Sequence, residues 1–333
     1  MTFRTKNISS AIVLALAFWA AQGLYADVTI RYQSAMKLSG PLQPLMEKLG
    51  KAVQSGSPSS IRMKGNKGYT TAGNWTEVFD FVKQEVTLID PAQKTFTTMP
   101  ASQLADKMAG AFPQAASAQM QAAQQALASI KTKVDSKMTG NTAEIQGVQA
   151  EEREVTVTMD MPMPTVVNQP DASLKMVMHI WTAKKEEALR VPAIRELTGY
   201  QAWQKYILNP VGVLQKLGGK LPGMSNVIGP MIEEIFKNPS VILRTRVEIY
   251  MPFLAVMAKQ MAAQGKDFPP IDPDAPLIEM TQEVTELSSA PVDAALFDVP
   301  ADYAAVPADD MVRDLLKAQT AAAAAAPATA ELK

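Results

Sequence analysis

The sequence predicts an α+β protein: a curved antiparallel sheet, forming an open and incomplete β-barrel, with helices packed on its concave face and helical insertions between strands. Three observations carry this. Many segments alternate apolar and polar residues with the two-residue period of a strand. Successive strands are joined by short turns, and no strand runs through a glycine-rich turn into a helix, which argues against alternating parallel βαβ units. Long segments with helical spacing, about 100–138 and 190–238, interrupt the strands.

Asp27 to Met36 alternates Val28, Ile30 and Tyr32 against Thr29, Arg31 and Gln33, a strand with one buried face. Leu42, Leu45, Met46, Leu49 and Val53 then recur at helical spacing. From Ile61 to Met99 the pattern is β, with a turn at Gly65-Asn66-Lys67-Gly68 and a hairpin turn at Asp90-Pro91-Ala92-Gln93. Between Pro100 and Met138, Leu104, Met108, Met120, Leu127, Ile130, Val134 and Met138 form a stripe that predicts two helices broken near Phe112-Pro113. Strands are expected at Thr142–Val148, Glu152–Met161 and Ser173–Ala183. Helices follow within 190–237, separated by breaks at Gly218-Gly219 and Pro222-Gly223. Ser240–Met251 and Pro276–Leu287 again alternate, with a short helix and a proline-rich link between them. From Pro307 onward one or two amphipathic turns (Met311, Val312, Leu315, Leu316) run into an Ala-rich tail expected to be disordered.

The first 26 residues have the form of a secretory signal peptide: Arg4 and Lys6, the apolar run Ala11 to Ala21, and a small-residue site ending at Ala26. The apolar run is shorter than the roughly 20 residues that span a bilayer, so no membrane span is expected. The exported domain then occupies residues 27–306, with 307–333 as its tail, and is periplasmic or extracellular. The 333 residues carry 32 Lys+Arg against 33 Asp+Glu, with no cysteine and one histidine. That balance offers no basic field for nucleic acid. The absence of cysteine excludes disulfide scaffolds, thiol nucleophiles and a cysteine-linked lipid anchor. A single histidine, His179, excludes a multi-histidine metal site.

Four segments resemble the periplasmic lipoprotein-carrier (LolA-like) superfamily, nearest to its secreted bacterial members of unknown function. They are the strand Asp27–Met36 with its following helix, the hairpin turn Asp90–Lys94, the Trp181-centred strand end before Arg190–Leu197, and the closing Leu296-Phe297-Asp298-Val299-Pro300-Ala301-Asp302-Tyr303. Asp302 stands where the family's closing motif usually has glycine. The resemblance implies an unclosed barrel, capped by helices, around a hydrophobic cavity that in the carriers accommodates acyl chains.

The chain has 20 methionines. Methionine adapts to ligands of varied shape, and Met159, Met161, Met176, Met178, Met251 and Met280 fall on apolar strand faces together with Val247 and Ile249. Met159, Met161, Met176, Met178, Val247, Ile249 and Met280 are therefore the candidate cavity lining. Ordinary core packing is the competing reading. Met159, Met161 and Met163 are also spaced as soft ligands for Cu(I), although strand alternation sets His179 on the face opposite Met176 and Met178. His179 has no Gly-x-Ser-x-Gly elbow to serve as a catalytic base. Glu151-Glu152 and Glu186-Glu187 read as solvated strand or loop ends. The sequence thus predicts an exported, non-catalytic protein without a cofactor that binds a lipid or another apolar molecule. The alternatives are a structural or envelope interaction protein with a self-filled cavity, which would have an envelope protein as partner, and a methionine-rich Cu(I) binder.

Overall fold

A computed structural model describes residues 27–43, 59–72, 75–111, 130–160, 173–207, 224–237, 240–265 and 270–324. The signal-peptide segment, most of the expected helix after Leu42, and Met161 and Met163 lie outside the described residues.

Alternating apolar residues build twelve strands among the described residues: β1 (Val28–Leu38), β2 (Ser59–Lys64), β3 (Lys67–Ala72), β4 (Trp75–Asp80), β5 (Glu85–Asp90), β6 (Thr95–Pro100), β7 (Lys131–Ile145), β8 (Val148–Asp160), β9 (Ser173–Ala183), β10 (Ile242–Tyr250), β11 (Ile278–Ser288) and β12 (Ala304–Ala305). They form one open sheet in the order β12-β6-β5-β4-β3-β2-β1-β11-β10-β9-β8-β7, antiparallel except for the short β12–β6 pair. The helices are α1 (Ala101–Ala111), α2 (Glu187–Arg190), α3 (Pro192–Ile207), α4 (Met224–Lys237), α5 (Pro252–Ala263) and α6 (Ala308–Ala324).

Because side chains directly opposite on paired strands share a face, the register assembles continuous rungs. Val28, Met63, Gly68, Phe79, Val86 and Met99 lie side by side across β1 to β6. Met63, Phe79, Val86 and Met99 bury there with Leu104 of α1, Ile194, Leu197 and Tyr200 of α3, and Met311 and Val312 of α6. This is the main core, on the concave, helix-covered face. A second core joins Val155, Val157, Met159, Met178 and Ile180 to Met231 and Ile235 of α4. Arg153 fixes α4 in place: its guanidinium donates to the carbonyl oxygens of Glu234 (3.0 Å) and Ile235 (3.4 Å), satisfying carbonyls left free near the helix C-terminus.

The convex side of β3–β6 is covered by the closing segment, whose Val292 and Phe297 bury against Val78 and Ile89. Two of the family-like segments meet here. In the β5–β6 turn Asp90 accepts from the amides of Ala92 and Gln93 and Lys94 takes a left-handed conformation. Lys94 then pairs with Asp302 of the closing motif at 2.8 Å, and its carbonyl accepts from the Ala304 amide.

Three expectations are corrected. Residues 131–138 are not helical: they open the long edge strand β7, and of the two helices expected in 100–138 the described residues hold α1. Ile130, Val134 and Met138 are four residues apart, a spacing that satisfies one face of a helix and one face of a strand equally. The expected strand Thr142–Val148 is in fact a hairpin corner. Ile145 ends β7, Gln146 and Gly147 both have positive φ, and Val148 begins β8, as in a two-residue turn whose twist matches its strands. In the tail, α6 extends to Ala324, longer than the one or two turns expected.

Candidate functional site

The candidate lining residues that are described come together on one face of the sheet. One rung runs Met36, Met280, Val247, Met178, Val155 across β1, β11, β10, β9 and β8. The next runs Leu38, Ile278, Ile249, Met176, Val157, and ends on Val134 of β7. Met159 stands opposite Leu174 one rung further. Sequence periodicity placed the candidate lining residues on strand faces, though it read Val134 as helical; it could not align the strands, because registers between β1 and β11, some 250 positions apart, leave no local signal.

Burial changes along the rungs. Met159 and Met178 are buried in the second core, Met178 at 5% exposure, while Met176, Val247 and Ile249 are partly covered. Met280 is 37% exposed, high for a large apolar side chain. Around it lies an open trough of about 360 Å³, floored by Ser34, Met36, Thr245, Val247, Met280 and Gln282. The trough's size falls at the small end of ligand sites, roughly 300–1,000 Å³. Its floor is apolar along β1 and β11, with a polar end at Ser34, Thr245 and Gln282. Met36 lines the trough and Ile278 belongs to the neighbouring rung; neither was among the candidates. Met251 lies beyond the end of β10, outside the rungs.

The opposite face of the same strands carries an ordered polar network. His179 Nδ1 lies 2.8 Å from Glu152 Oε1, and its Nε2 lies 3.9 Å from Glu248. Glu152 also accepts from Thr139 (2.7 Å) and Asn141 (2.5 Å). Burial would raise the Glu152 carboxyl, but the bonds from Thr139, Asn141 and His179 together hold it below the ordinary range. Glu248 takes the Tyr250 hydroxyl at 2.7 Å and Arg246 at 2.7 Å; burial and this bond to a carboxylate push the phenol up to about 12. Glu152, expected as a solvated strand end, is therefore a buried network residue. A bulge in β7 between Met138 and Thr142 lets Thr139 and Asn141 reach it, a detour that period counting does not register. His179 is committed to this network on the opposite face from Met176 and Met178, so the imidazole is turned away from the methionines. Among the described residues no cluster of acidic or histidine side chains could hold a metal ion. Glu187, expected as solvated, is buried and paired with Arg190.

No helix among the described residues is long and apolar enough to cross a membrane. The sequence matches no protein-family model, and no curated protein matches it. Among solved structures, PNGF-II is similar at TM-score 0.29 and 8% identity over 86% of this chain, which spans 32% of that protein. A DUF1329 family protein from Desulfovibrio piger is similar at TM-score 0.21 and 9% identity, covering 88% of this chain and 98% of that one. An outer membrane lipoprotein-sorting protein domain from Vibrio parahaemolyticus is similar at TM-score 0.20 and 9% identity, covering 88% and 97%. At these scores the likenesses say nothing of ligand or chemistry.

Proposed function

We propose that this protein is an exported, non-catalytic carrier that holds a lipid acyl chain, or another apolar ligand, against the concave face of its sheet. The observation that carries the reading is the pair of apolar rungs that continue from the buried second core out to the half-open trough at Met280. An acyl chain laid along the trough would remove Met36, Val247 and Met280 from water, at roughly 0.8 kcal/mol for each CH₂ of its own that is buried. The polar residues Ser34, Thr245 and Gln282 stand at one end, where a headgroup or carboxylate could be hydrogen-bonded. The resemblance of four short segments to lipoprotein carriers agrees with this reading.

One observation favours the structural alternative. Helix α4 already seats Met231 and Ile235 on the inner part of the same face, so the fold fills part of its own concavity. The two readings are separated by a fluorescent fatty-acid probe and the variants Met280→Lys and Met280→Glu, at a position open enough to accept the charge. A carrier binds the probe, and each variant weakens binding at least tenfold with an unchanged melting temperature. Equal binding by folded variants removes the trough as the site, and no binding by the wild type moves the reading to the interaction protein.

A further inference from the structure

A second cavity lies on the other side of the main core, where the β2–β3 and β4–β5 turns approach α3. It encloses about 370 Å³ and is lined by Met63, Phe81, Val82, Glu196, Tyr200 and Trp203, with Gly65, Asn66 and Gly199 at its edge. Helix α3 supplies Glu196, Gly199, Tyr200 and Trp203 at spacings of three, four and seven, which put all four on one face. The rings form a corner. Tyr200 and Trp203 lie nearly parallel (14°, centroids 6.4 Å apart), and Phe81 stands across them, 5.0 Å from Trp203 at 67° and 5.7 Å from Tyr200 at 58°. Gly68 makes room for this corner, since a Cβ there would sit 3.0 Å from the Phe81 ring.

Two features point to a ligand rather than to packing. Gly199 lies within α3, where glycine costs about 1 kcal/mol relative to alanine. A Cβ at that position would meet nothing within 4 Å, so neither close approach nor backbone conformation calls for glycine. Its effect is to leave the cavity wall open. Val82, 77% exposed at the tip of the β4–β5 turn, forms an apolar rim on the opposite side. The chemistry of the walls then selects the ligand's charge. Glu196 has a side chain only 11% exposed, and Arg195 reaches just one of its carboxylate oxygens, Oε1, at 3.4 and 3.5 Å. The second oxygen, Oε2, is left for a ligand in the cavity that Glu196 lines. A neutral apolar ligand would bury that oxygen without a hydrogen bond, and an anion would be repelled by the carboxylate. A cation satisfies the carboxylate and is attracted to the faces of Trp, Tyr and Phe.

We infer that this cavity binds an organic ammonium group, carried either by a free small cation or by a lipid headgroup. The inference is independent of the trough around Met280. The test titrates the full mature protein calorimetrically with choline and with its neutral carbon isostere 3,3-dimethylbutanol, and measures retention on vesicles of phosphatidylcholine or of phosphatidylglycerol. Saturable choline binding, at least tenfold tighter than that of the isostere, identifies a free cation as ligand. Retention on phosphatidylcholine but not phosphatidylglycerol identifies the headgroup. In either case Glu196→Gln, which keeps the side-chain shape, and Gly199→Leu, which fills the opening, each weaken binding at least tenfold, while Asp274→Asn, at an exposed position away from both cavities, leaves it unchanged. Equal binding of choline and the isostere, unaltered binding by Glu196→Gln, or binding of neither molecule together with no vesicle preference overturns the inference.

Discussion

At the scale of single residues, the polar groups inside the sheet set the pH behaviour. Glu152 has a carboxyl held below its ordinary value of 4.5, so its contribution to stability is present above that value and is lost as pH falls through the lower folded value. Glu152→Gln is expected to lower stability by about 1–3 kcal/mol at pH 7, with the difference from wild type shrinking in denaturant melts below pH 4.5. Glu77 runs the other way. It stands in a concave-face rung between Thr70 and Leu88, and burial pushes its carboxyl above 4.5. Stability owed to its protonated form is present at low pH and is lost as pH rises through the raised folded value. Glu77→Gln is therefore expected to raise the melting temperature at pH 8 by a few degrees and to change it little at pH 4; a lower melting temperature at pH 8 would show that the carboxylate has a partner that offsets its desolvation.

At the scale of elements, what was legible in the sequence was what strand alternation encodes locally. β9 has the residue bounds its alternation predicted, and β1, β8, β10 and β11 differ from expectation by a few residues at their ends. The failures share a cause. Residues spaced by four, as Ile130, Val134 and Met138 are, fit both periods, and the deciding information is the partner strand β8, which lies beyond a turn formed by an unusual Gln-Gly pair. Met138, at 54% exposure on this edge strand, shows how little of that face is buried. The C-terminal helix was legible from Met311, Val312 and Leu315, all of which bury. Its role as a clamp on α1 and β6 was not, because it depends on contacts some 200 residues away, such as the Lys107–Asp309 pair. Val312→Asp places an unpaired charge in the main core and is expected to destabilise the fold by more than about 3 kcal/mol. Truncation after Lys317 is expected to leave thermal stability within a degree or two of the full chain, as read by calorimetry.

At the scale of the whole molecule, the sheet is packed by its apolar cores and leaves an uncovered trough around Met280 among the described residues. The seven lining candidates divide accordingly: Met159 and Met178 are core, Met176, Val247 and Ile249 are intermediate, Met280 faces the opening, and Met161 lies outside the described residues. Alternation identified the face, and long-range register decided which of its residues stay accessible. If the trough is a lipid site, the ligand completes the hydrophobic surface that α4 leaves unfinished, and bound lipid should stabilise the fold by mass action. Native mass spectrometry of the protein, purified without detergent from the cells that make it and compared with its organic-solvent extract, tests this most directly. The account predicts a stoichiometric lipid that is lost from Met280→Lys. A clean apo mass for the wild type, with no uptake of a fatty-acid probe afterwards, would contradict it.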